Sequence, residues 1–253
     1  MRITFLGTGT SCGVPVIGCQ CDVCTSGDAK DQRLRCSILV ETDDTRILVD
    51  CGPDFRQQIL RQPFRRIDGI LVTHSHYDHV GGMDDIRPYC QFGEINVYAD
   101  HEACRGMLQM LPYCFAKNRY PGVPAIGLHE IKAGTPMTIG DIDILPVRVM
   151  HGQLPILGYR FGRFAYVTDM KTIDDNQAEL LVGVEVLVVN ALRFDKPHHA
   201  HQLVDDAVAF ARRLGARRTL ITHVCHDIGL HDDANRRMPN DVELAYDGQQ
   251  LFI

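Results

Sequence analysis

The sequence has no apolar run long enough to cross a membrane, and this absence limits the classes of protein it can encode. A bilayer-spanning helix needs roughly 20 apolar residues, and no segment approaches that length. Residues 1–7 predict a short strand that ends in a glycine turn, without the long apolar core of a secretory signal. We therefore expect a cytoplasmic protein with no membrane partner.

An excess of positive charge is also missing, since 26 Lys and Arg face 32 Asp and Glu for a net charge of −6. Bulk attraction to nucleic acid or to other anions is therefore not expected. Tryptophan, low-complexity tracts and internal repeats are absent as well. With 253 residues, 45% of them hydrophobic, the chain can bury a core without disulfides. We expect a single domain over residues 1–253.

Short runs rich in Val and Ile recur along the chain and predict strands. They lie at residues 3–6, 36–40, 47–50, 69–73, 96–99, 142–149, 165–168, 184–190 and 219–222. Helices are predicted at 53–61, 100–111 and 202–214, and the last has an apolar face at helical spacing before Gly215. Strand pairs followed by alternating strands and helices indicate sheets covered by helices, an α/β fold.

The densest group of metal-ligand side chains lies at residues 74–79, which read His-Ser-His-Tyr-Asp-His directly after a predicted strand. In an extended segment His74 and His76 point the same way, whereas Asp78 and His79 fall on the turn into a helix. Imidazoles and carboxylates at this density are typical of Zn, Mn or Fe sites. The alternative, a surface loop with incidental histidines, is disfavoured by four metal-ligand side chains in six residues.

This stretch resembles the His-x-His-x-Asp-His signature of the metallo-β-lactamase superfamily, and the likeness extends along nearly the whole chain. His151, Asp169 and His223 follow predicted strands in the order of that family. The resemblance implies an αββα sandwich of two mixed sheets flanked by helices. It also implies two divalent metals: one on His74, His76 and His151, the other on Asp78, His79 and His223, with Asp169 bridging.

The resemblance further implies that Asp50, at the end of a predicted strand, is a buried aspartate that orients a metal ligand; a turn aspartate is the alternative. Two such metals, whether Mn, Zn or Fe, would generate hydroxide from water at neutral pH. Asp78, besides binding metal, would orient that hydroxide. Only two of the seven ligands are carboxylates, so the site would stay positively charged and attract anions such as phosphodiesters.

A second cluster places three thiols in six residues, at Cys19, Cys21 and Cys24. In a reducing compartment this spacing indicates structural zinc, which needs four ligands, in a loop at residues 12–36. His226 is a candidate fourth ligand because it lies three residues after His223. Cys225 competes with it, and Cys12 and Cys36 are weaker candidates.

The opening at residues 5–15, Phe-Leu-Gly-Thr-Gly-Thr-Ser-Cys-Gly-Val-Pro, followed by the cysteine cluster, is similar to the PhnP group of phosphodiesterases. Those enzymes hydrolyse cyclic phosphodiesters that arise in phosphonate breakdown. Their structural zinc is held by a matching set of cysteines and a histidine three residues beyond the last active-site histidine. The resemblance therefore implies His226 as the fourth ligand and a zinc loop that braces the active-site rim.

Three histidines, His198, His199 and His201, precede the last predicted helix. Related phosphodiesterases use a histidine ahead of such a helix as the proton donor to the leaving group, and His201 matches its position best. A solvated polar loop is the alternative. For His198 and His199 that alternative is favoured, with a contact to phosphate, aided by Arg193 or Lys196, as the other interpretation.

The sequence thus predicts a metal-dependent phosphodiesterase that acts on a small, linear or cyclic substrate. One alternative is a ribonuclease Z-like tRNA 3′-processing endonuclease, but residues 112–124 are too short and too weakly basic for its tRNA-gripping arm. Another is a PqqB-type protein of cofactor biosynthesis, or a metal-binding protein without hydrolytic activity; the intact set of seven ligands favours hydrolysis. Dimers are common in the family, and a homodimer is compatible with this chain.

Overall fold

A computed structural model of the protein describes residues 1–118 and 120–253. Across these residues the strands are β1 (Arg2–Gly7), β2 (Ser37–Glu41), β3 (Arg46–Val49), β4 (Gly69–Leu71), β5 (Ile95–Ala99), β6 (Ile126–Glu130), β7 (Met137–Ile139), β8 (Ile142–His151), β9 (Leu154–Phe161), β10 (Phe164–Val167), β11 (Val186–Asn190), β12 (Arg218–Thr222), β13 (Val242–Leu244) and β14 (Gln250–Phe252). The α-helices are α1 (Phe55–Ile59), α2 (Tyr77–Val80), α3 (His101–Met110), α4 (Pro112–Phe115), α5 (Asp175–Glu179), α6 (Val204–Leu214) and α7 (His231–Arg236). Three 3₁₀ helices cover Ala29–Asp31, Met83–Phe92 and His226–Ile228.

The strands form two seven-stranded sheets, in the orders β14-β1-β2-β3-β4-β5-β6 and β13-β12-β11-β10-β9-β8-β7. Both sheets are mixed. In the first, β3 to β6 run parallel, and in the second β10 to β13 do. The predicted α/β fold with two mixed sheets is confirmed.

Alternate side chains of the central strands enter different apolar layers, which explains the four-layer arrangement. On β2, Ile38 and Val40 pack against residues of the second sheet, whereas Leu39 packs among the residues of α1 to α4. On β11, Val188 enters the layer between the sheets, and Leu187 faces the layer beneath α5, α6 and α7. Helices therefore cover the outer face of each sheet, as the αββα prediction requires.

The elements predicted from the sequence are found, several with shifted ends. The first predicted helix is shorter than 53–61, and β4 ends at Leu71 rather than at residue 73. Helix α6 ends at Gly215, which adopts a left-handed conformation with φ 74°. Of residues 112–124, considered above as a tRNA-gripping arm, the first four form α4, and Arg119 lies outside the described residues. No helix in the described part of the chain is long and apolar enough to span a membrane.

The segment that connects β1 to β2 contains the cysteine cluster and is anchored by a buried guanidinium. Arg33 Nη1 donates to Thr8 Oγ1 at 2.8 Å and to the Ala245 carbonyl at 2.5 Å. Asp247 accepts from Thr8 Oγ1 and from the Leu34 amide. Because a buried charge must be paired, these contacts fix the loop against the far end of the chain.

Candidate active site

The predicted ligands of the dinuclear site come from both sheets and lie at or just beyond strand ends. His74 and His76 follow β4, Asp78 and His79 form the first turn of α2, His151 ends β8, Asp169 follows β10 and His223 follows β12. The carboxyl ends of parallel strands meet at one edge of a sheet, and two such edges face each other here. Two hydrogen bonds join the sheets at this point, from Tyr159 Oη to the Val72 carbonyl (2.6 Å) and from the Leu157 amide to the Thr73 carbonyl (3.0 Å).

The structure gathers the seven side chains into two adjoining sets. In each set the potential ligand atoms lie within 4.8 Å of one another: His74, His76 and His151 in one, and Asp78, His79, Asp169 and His223 in the other. Asp169 contacts both. Its Oδ2 lies 3.7 Å from His74 Nε2 and 3.3 Å from His79 Nε2, and its Oδ1 lies 3.1 Å from His223 Nε2. This is the position that the sequence predicted for a bridging ligand.

Hydrogen bonds fix which nitrogen of three imidazoles faces the centre of the site. His79 Nδ1 donates to Asp50 Oδ2 at 2.7 Å, and His151 Nδ1 donates to the Ala200 carbonyl at 3.0 Å. The Thr73 hydroxyl donates to Asp50, so it accepts from His74 Nδ1 at 3.0 Å. In its neutral form each ring therefore presents an unprotonated Nε2, the form that coordinates metal. Asp50 thus lies where the sequence predicted a carboxylate that orients a ligand.

The backbone around the site adopts conformations that residues other than glycine rarely take. Asp50, Asp169 and His223 have φ of 61°, 58° and 56°. Such left-handed residues are uncommon and concentrate at functional sites. Gly52 permits a further close approach, since a Cβ there would lie 2.1 Å from the Asp78 carbonyl oxygen. Local strain is therefore used to direct these side chains to one point.

The donor set fits divalent cations. His79 Nε2 and both ring nitrogens of His223 are buried without a hydrogen-bond partner among the described residues. Burial alone lowers the pKa of His79, but Asp169 and Asp50 outweigh it and raise that pKa well above its ordinary value. Burial alone raises the pKa of Asp169, but His223 and His79 hold it well below the usual range. The ionised carboxylates thus demand positive charge at this point, which bound metals would supply.

His201 lies beside both sets, in the loop between β11 and α6. Its ring centroid is 4.7 Å from that of His151 and 4.8 Å from those of His198 and His223. The side chain is buried, and neither ring nitrogen has a hydrogen-bond partner among the described residues. Burial, reinforced by His223, lowers the pKa of His201 to about 3, so the imidazole is neutral near pH 7.

The other residues of this loop are differently placed. His198 is half-buried and accepts a hydrogen bond from the Ala200 amide at 3.2 Å, whereas His199 is exposed. Arg193 and Lys196, considered above for phosphate binding, both contact Asp227, at 3.1 and 3.4 Å. Both cations are therefore engaged by the carboxylate of Asp227.

The cysteine cluster forms a separate centre. His226 Nδ1 lies 3.2 Å from Cys19 Sγ and 3.4 Å from the Sγ atoms of Cys21 and Cys24. A tetrahedral zinc with ordinary bond lengths would separate N and S ligands by about 3.6 Å, so the four donors fit a structural zinc. Cys225, the competing candidate, is not part of this group.

The weaker candidates lie elsewhere. Cys36 is buried, with its Sγ 3.3 Å from Thr222 Oγ1, and Cys12 is exposed. One segment, residues 222–226, therefore contributes His223 to the dinuclear site and His226 to the cysteine cluster. The Val224 amide donates to the Thr8 carbonyl, and the Thr10 amide donates to the Val224 carbonyl, so the start of the zinc loop pairs with this segment.

Two residues that sequence reasoning missed contact this site. Thr73 donates its amide and its hydroxyl to Asp50 and accepts from His74; its position before the ligand stretch was the available signal. Lys171 donates from Nζ to the His201 carbonyl at 3.0 Å, and nothing in its sequence context indicates that contact.

Comparison with known proteins agrees with this architecture. The family model for the beta-lactamase superfamily domain matches residues 45–224. A crystal structure described as a new diphosphatase from the PhnP family superposes with a TM-score of 0.91 and 39% identity, and covers 99% of this chain and 97% of that one. An octanoyltransferase of Porphyromonas gingivalis is 42% identical over the whole of this chain, which spans 52% of that protein's length.

A coenzyme PQQ synthesis protein B of Methylobacterium radiotolerans is 25% identical over 216 residues, 74% of this chain and 72% of that protein. The family model covers well over half of the chain, and the PhnP-family structure matches it almost from end to end. The chain therefore belongs to the metallo-β-lactamase superfamily and, within it, to the PhnP family.

Proposed function

We propose that the protein is a metal-dependent hydrolase of a small phosphodiester, linear or cyclic. One observation carries the proposal: seven imidazole and carboxylate side chains converge beside the buried ring of His201, whose two nitrogens have no partner among the described residues. The fold and the PhnP-family neighbour support a metal-dependent hydrolase. Two divalent metals, Mn or Zn with Fe as a further candidate, would when bound supply an activated water and positive charge.

The charge of the site favours an anionic substrate. Two divalent cations bring four positive charges, and the set that would hold them includes only two carboxylates, Asp78 and Asp169. A phosphodiester anion gains from the surplus positive charge, whereas a neutral amide does not. Asp78 is buried with Oδ2 3.2 Å from His79 Nε2, where its carboxylate can also orient the attacking water.

His201 is proposed as the proton donor to the leaving oxygen. Its lowered pKa makes the imidazole neutral near pH 7, and a phosphate anion placed against the ring favours the protonated form because it supplies opposite charge. The leaving alkoxide of a phosphodiester needs that proton, since alkoxides are strong bases. The remaining partners are proposals too: a small-molecule substrate, no nucleic acid, and a homodimer as in many relatives.

Hydrolysis of a diphosphate is the second candidate, because the structure at 39% identity is described as a diphosphatase. The two substrates share an anionic phosphorus centre and differ in the leaving group. A phosphate leaving group is far less basic than an alkoxide, so it depends less on a proton donor. The His201 variant described in the Discussion therefore separates the two.

The activities named for the other relatives are weaker candidates for this chain. Because this chain spans only 52% of the P. gingivalis octanoyltransferase, we propose that acyl transfer is carried by the half it does not match. The PqqB alternative rests on 25% identity. For the ribonuclease Z alternative, tight and salt-sensitive binding of tRNA on a filter would overturn our preference, since phosphate contacts make such binding depend on salt.

The test is a screen of linear and cyclic phosphodiesters, with a diphosphate included, on protein loaded with Mn²⁺. We expect turnover of at least one phosphodiester, abolished by a chelator and restored by the metal. The same screen on protein loaded with Zn²⁺ or Fe²⁺ compares the turnover that each metal supports. If the fully metallated protein turned over no phosphodiester but cleaved the diphosphate, the second candidate would replace the first.

A further inference from the structure

The ring of His201 makes no hydrogen bond with the described residues that would fix its orientation. Neither ring nitrogen has a hydrogen-bond partner among the described residues, although the side chain is only 6% exposed. A buried imidazole without such a bond has no polar contact that selects one rotation of the ring. Apart from its contacts with the rings of His151, His198 and His223, the position of the imidazole therefore depends on the loop that carries it.

Two successive carbonyls of this loop are fastened by side chains from the site. His151 Nδ1 donates to the Ala200 carbonyl at 3.0 Å, and Lys171 Nζ donates to the His201 carbonyl at 3.0 Å. The first bond belongs to a residue of the dinuclear set. The second bond comes from Lys171, which is not among the candidate metal ligands and has no carboxylate partner among the described residues.

Lys171 is itself held in place by the strand that ends in His151. Its amide donates to the Met150 carbonyl at 2.6 Å, and Thr172 and Met150 exchange backbone hydrogen bonds of 3.2 and 2.8 Å. It also follows Asp169 by two residues, on the far side of that left-handed turn. Its ammonium group is therefore delivered to the His201 carbonyl by the same loop that delivers a proposed bridging ligand.

An ammonium group is strongly hydrated, so removing it from water costs free energy that a bound partner must offset. Here that partner is a backbone carbonyl and not one of the carboxylates of the site, Asp78 or Asp169. The bond is charge-assisted and hence stronger than one from a neutral donor. We propose that Lys171 is a positioning residue: it clamps the His201 carbonyl and so keeps that imidazole directed at the leaving oxygen. This inference rests on the proposed phosphodiesterase function and on the proton-donor role of His201.

The test compares two variants. Lys171→Met keeps a long unbranched side chain but removes the ammonium group, whereas Lys171→Arg retains a cationic donor. On an ester with a poor alkoxide leaving group we expect Lys171→Met to lower kcat by about 10- to 100-fold, the cost of a small misplacement of a catalytic group. On a p-nitrophenyl ester, whose leaving group needs little protonation, it should stay within about threefold of wild type. Lys171→Arg should recover most of the loss, and Lys132→Met, at an exposed lysine, serves as the control.

A double variant distinguishes positioning from a general structural role. If Lys171 acts through His201, adding Lys171→Met to His201→Ala should cause no further loss, because the two act as one unit. Equal losses on both esters, or losses that multiply in the double variant, would overturn the inference.

A readout that does not depend on turnover separates this inference from the proposed function. In zinc-loaded protein with ¹³C-labelled histidine, Lys171→Met should shift or broaden the His201 ring resonance and leave that of His226 unchanged. An unshifted His201 resonance would refute the clamp. If wild type hydrolysed no phosphodiester, the proposed function would fail, and this resonance would still decide whether Lys171 holds the loop.

Discussion

The two candidate metal centres share residues 222–226 but are built in different ways. The dinuclear set takes His151, Asp169 and His223 from three strand ends far apart in the chain, and joins them to the 74–79 stretch. The cysteine cluster takes three of its four ligands from one short loop. The first centre is lined by buried nitrogens that make no hydrogen bond with the described residues, and the ring of His201 lies against that of His223.

This difference in construction corresponds to a structural role for one centre and a catalytic role for the other. A zinc with four protein ligands is closed and can only hold the loop in place, whereas a centre that leaves room beside its ligands can act on a substrate. The shared segment lets the closed centre restrain the open one, because His226 fixes the backbone three residues after His223. Substitutions in the open centre, the dinuclear set, should therefore remove turnover while the fold persists. Substitutions in the closed centre, the cysteine cluster with His226, should instead lower the thermal stability with little effect on turnover.

The largest effect is expected from Asp169→Asn, in the open centre. Asparagine tolerates the left-handed backbone at this position, so the substitution removes charge with little strain. Loss of the carboxylate that contacts His74, His79 and His223 should lower kcat/KM by about 10³-fold or more, the equivalent of several kcal/mol of metal-derived stabilisation. Metal content by mass spectrometry should show fewer than two active-site metals per chain.

The matched control for this variant is Asp175→Asn, an exposed carboxylate on α5 that pairs with Arg213. It should change neither metal content nor turnover. An Asp169→Asn protein that retained full metal and full activity would place the open centre elsewhere.

Next in size is His201→Ala, which sharpens the comparison within the open centre. Removal of a proton donor should lower kcat by about 10²- to 10⁴-fold on esters with alkoxide leaving groups, and should spare p-nitrophenyl esters. His199→Ala, at the exposed histidine of the same loop, is the control. Equal losses on both classes of ester would sink the assignment of His201 as proton donor.

A smaller effect is expected from Asp50→Asn, which changes the support of a ligand and not a ligand itself. The carboxylate accepts from His79 Nδ1 and from the Thr73 amide, and asparagine keeps the shape and tolerates φ 61°. Loss of the charge should weaken metal affinity by roughly 10- to 100-fold, measured by competition with a fluorescent chelator. Asp44→Asn, in an exposed turn, should bind metal like wild type; unchanged affinity in Asp50→Asn would show that His79 needs no such support.

The side chains that come together in both candidate centres could be predicted from the sequence, more readily where they are close in the chain. Residues 74–79 and the three cysteines are visible as motifs, and the strand ends before Asp169 and His223 could be inferred from their Val- and Ile-rich runs. The contact of Lys171 with the His201 carbonyl could not, because a backbone carbonyl at a distant position leaves no signature in sequence.

Among the strands, β9 was missed for a related reason. Its Pro155 and Gly158 interrupt the residue pattern of a strand, and the pairing of residues 154–160 with residues 145–151 of β8 overrides that weak propensity. A Cβ at Gly158 would lie 3.1 Å from a methyl group of Val167, so the neighbouring strand rather than local preference explains the glycine. Tertiary packing thus determines what local sequence leaves undecided.

The smallest effect on turnover is expected from Cys21→Ala, in the closed centre. Its thiol contacts His226 Nδ1 at 3.4 Å, so the variant should lose the structural zinc while the dinuclear site stays filled. A loss of about 2 kcal/mol would lower the melting temperature by roughly 4–8 °C in a chain of this size. Cys12→Ala, at a cysteine of the same loop that lies outside the cluster, is the control and should keep its zinc. If Cys21→Ala also emptied the dinuclear site, residues 222–226 would couple the two centres so tightly that the division between a closed and an open centre would not hold.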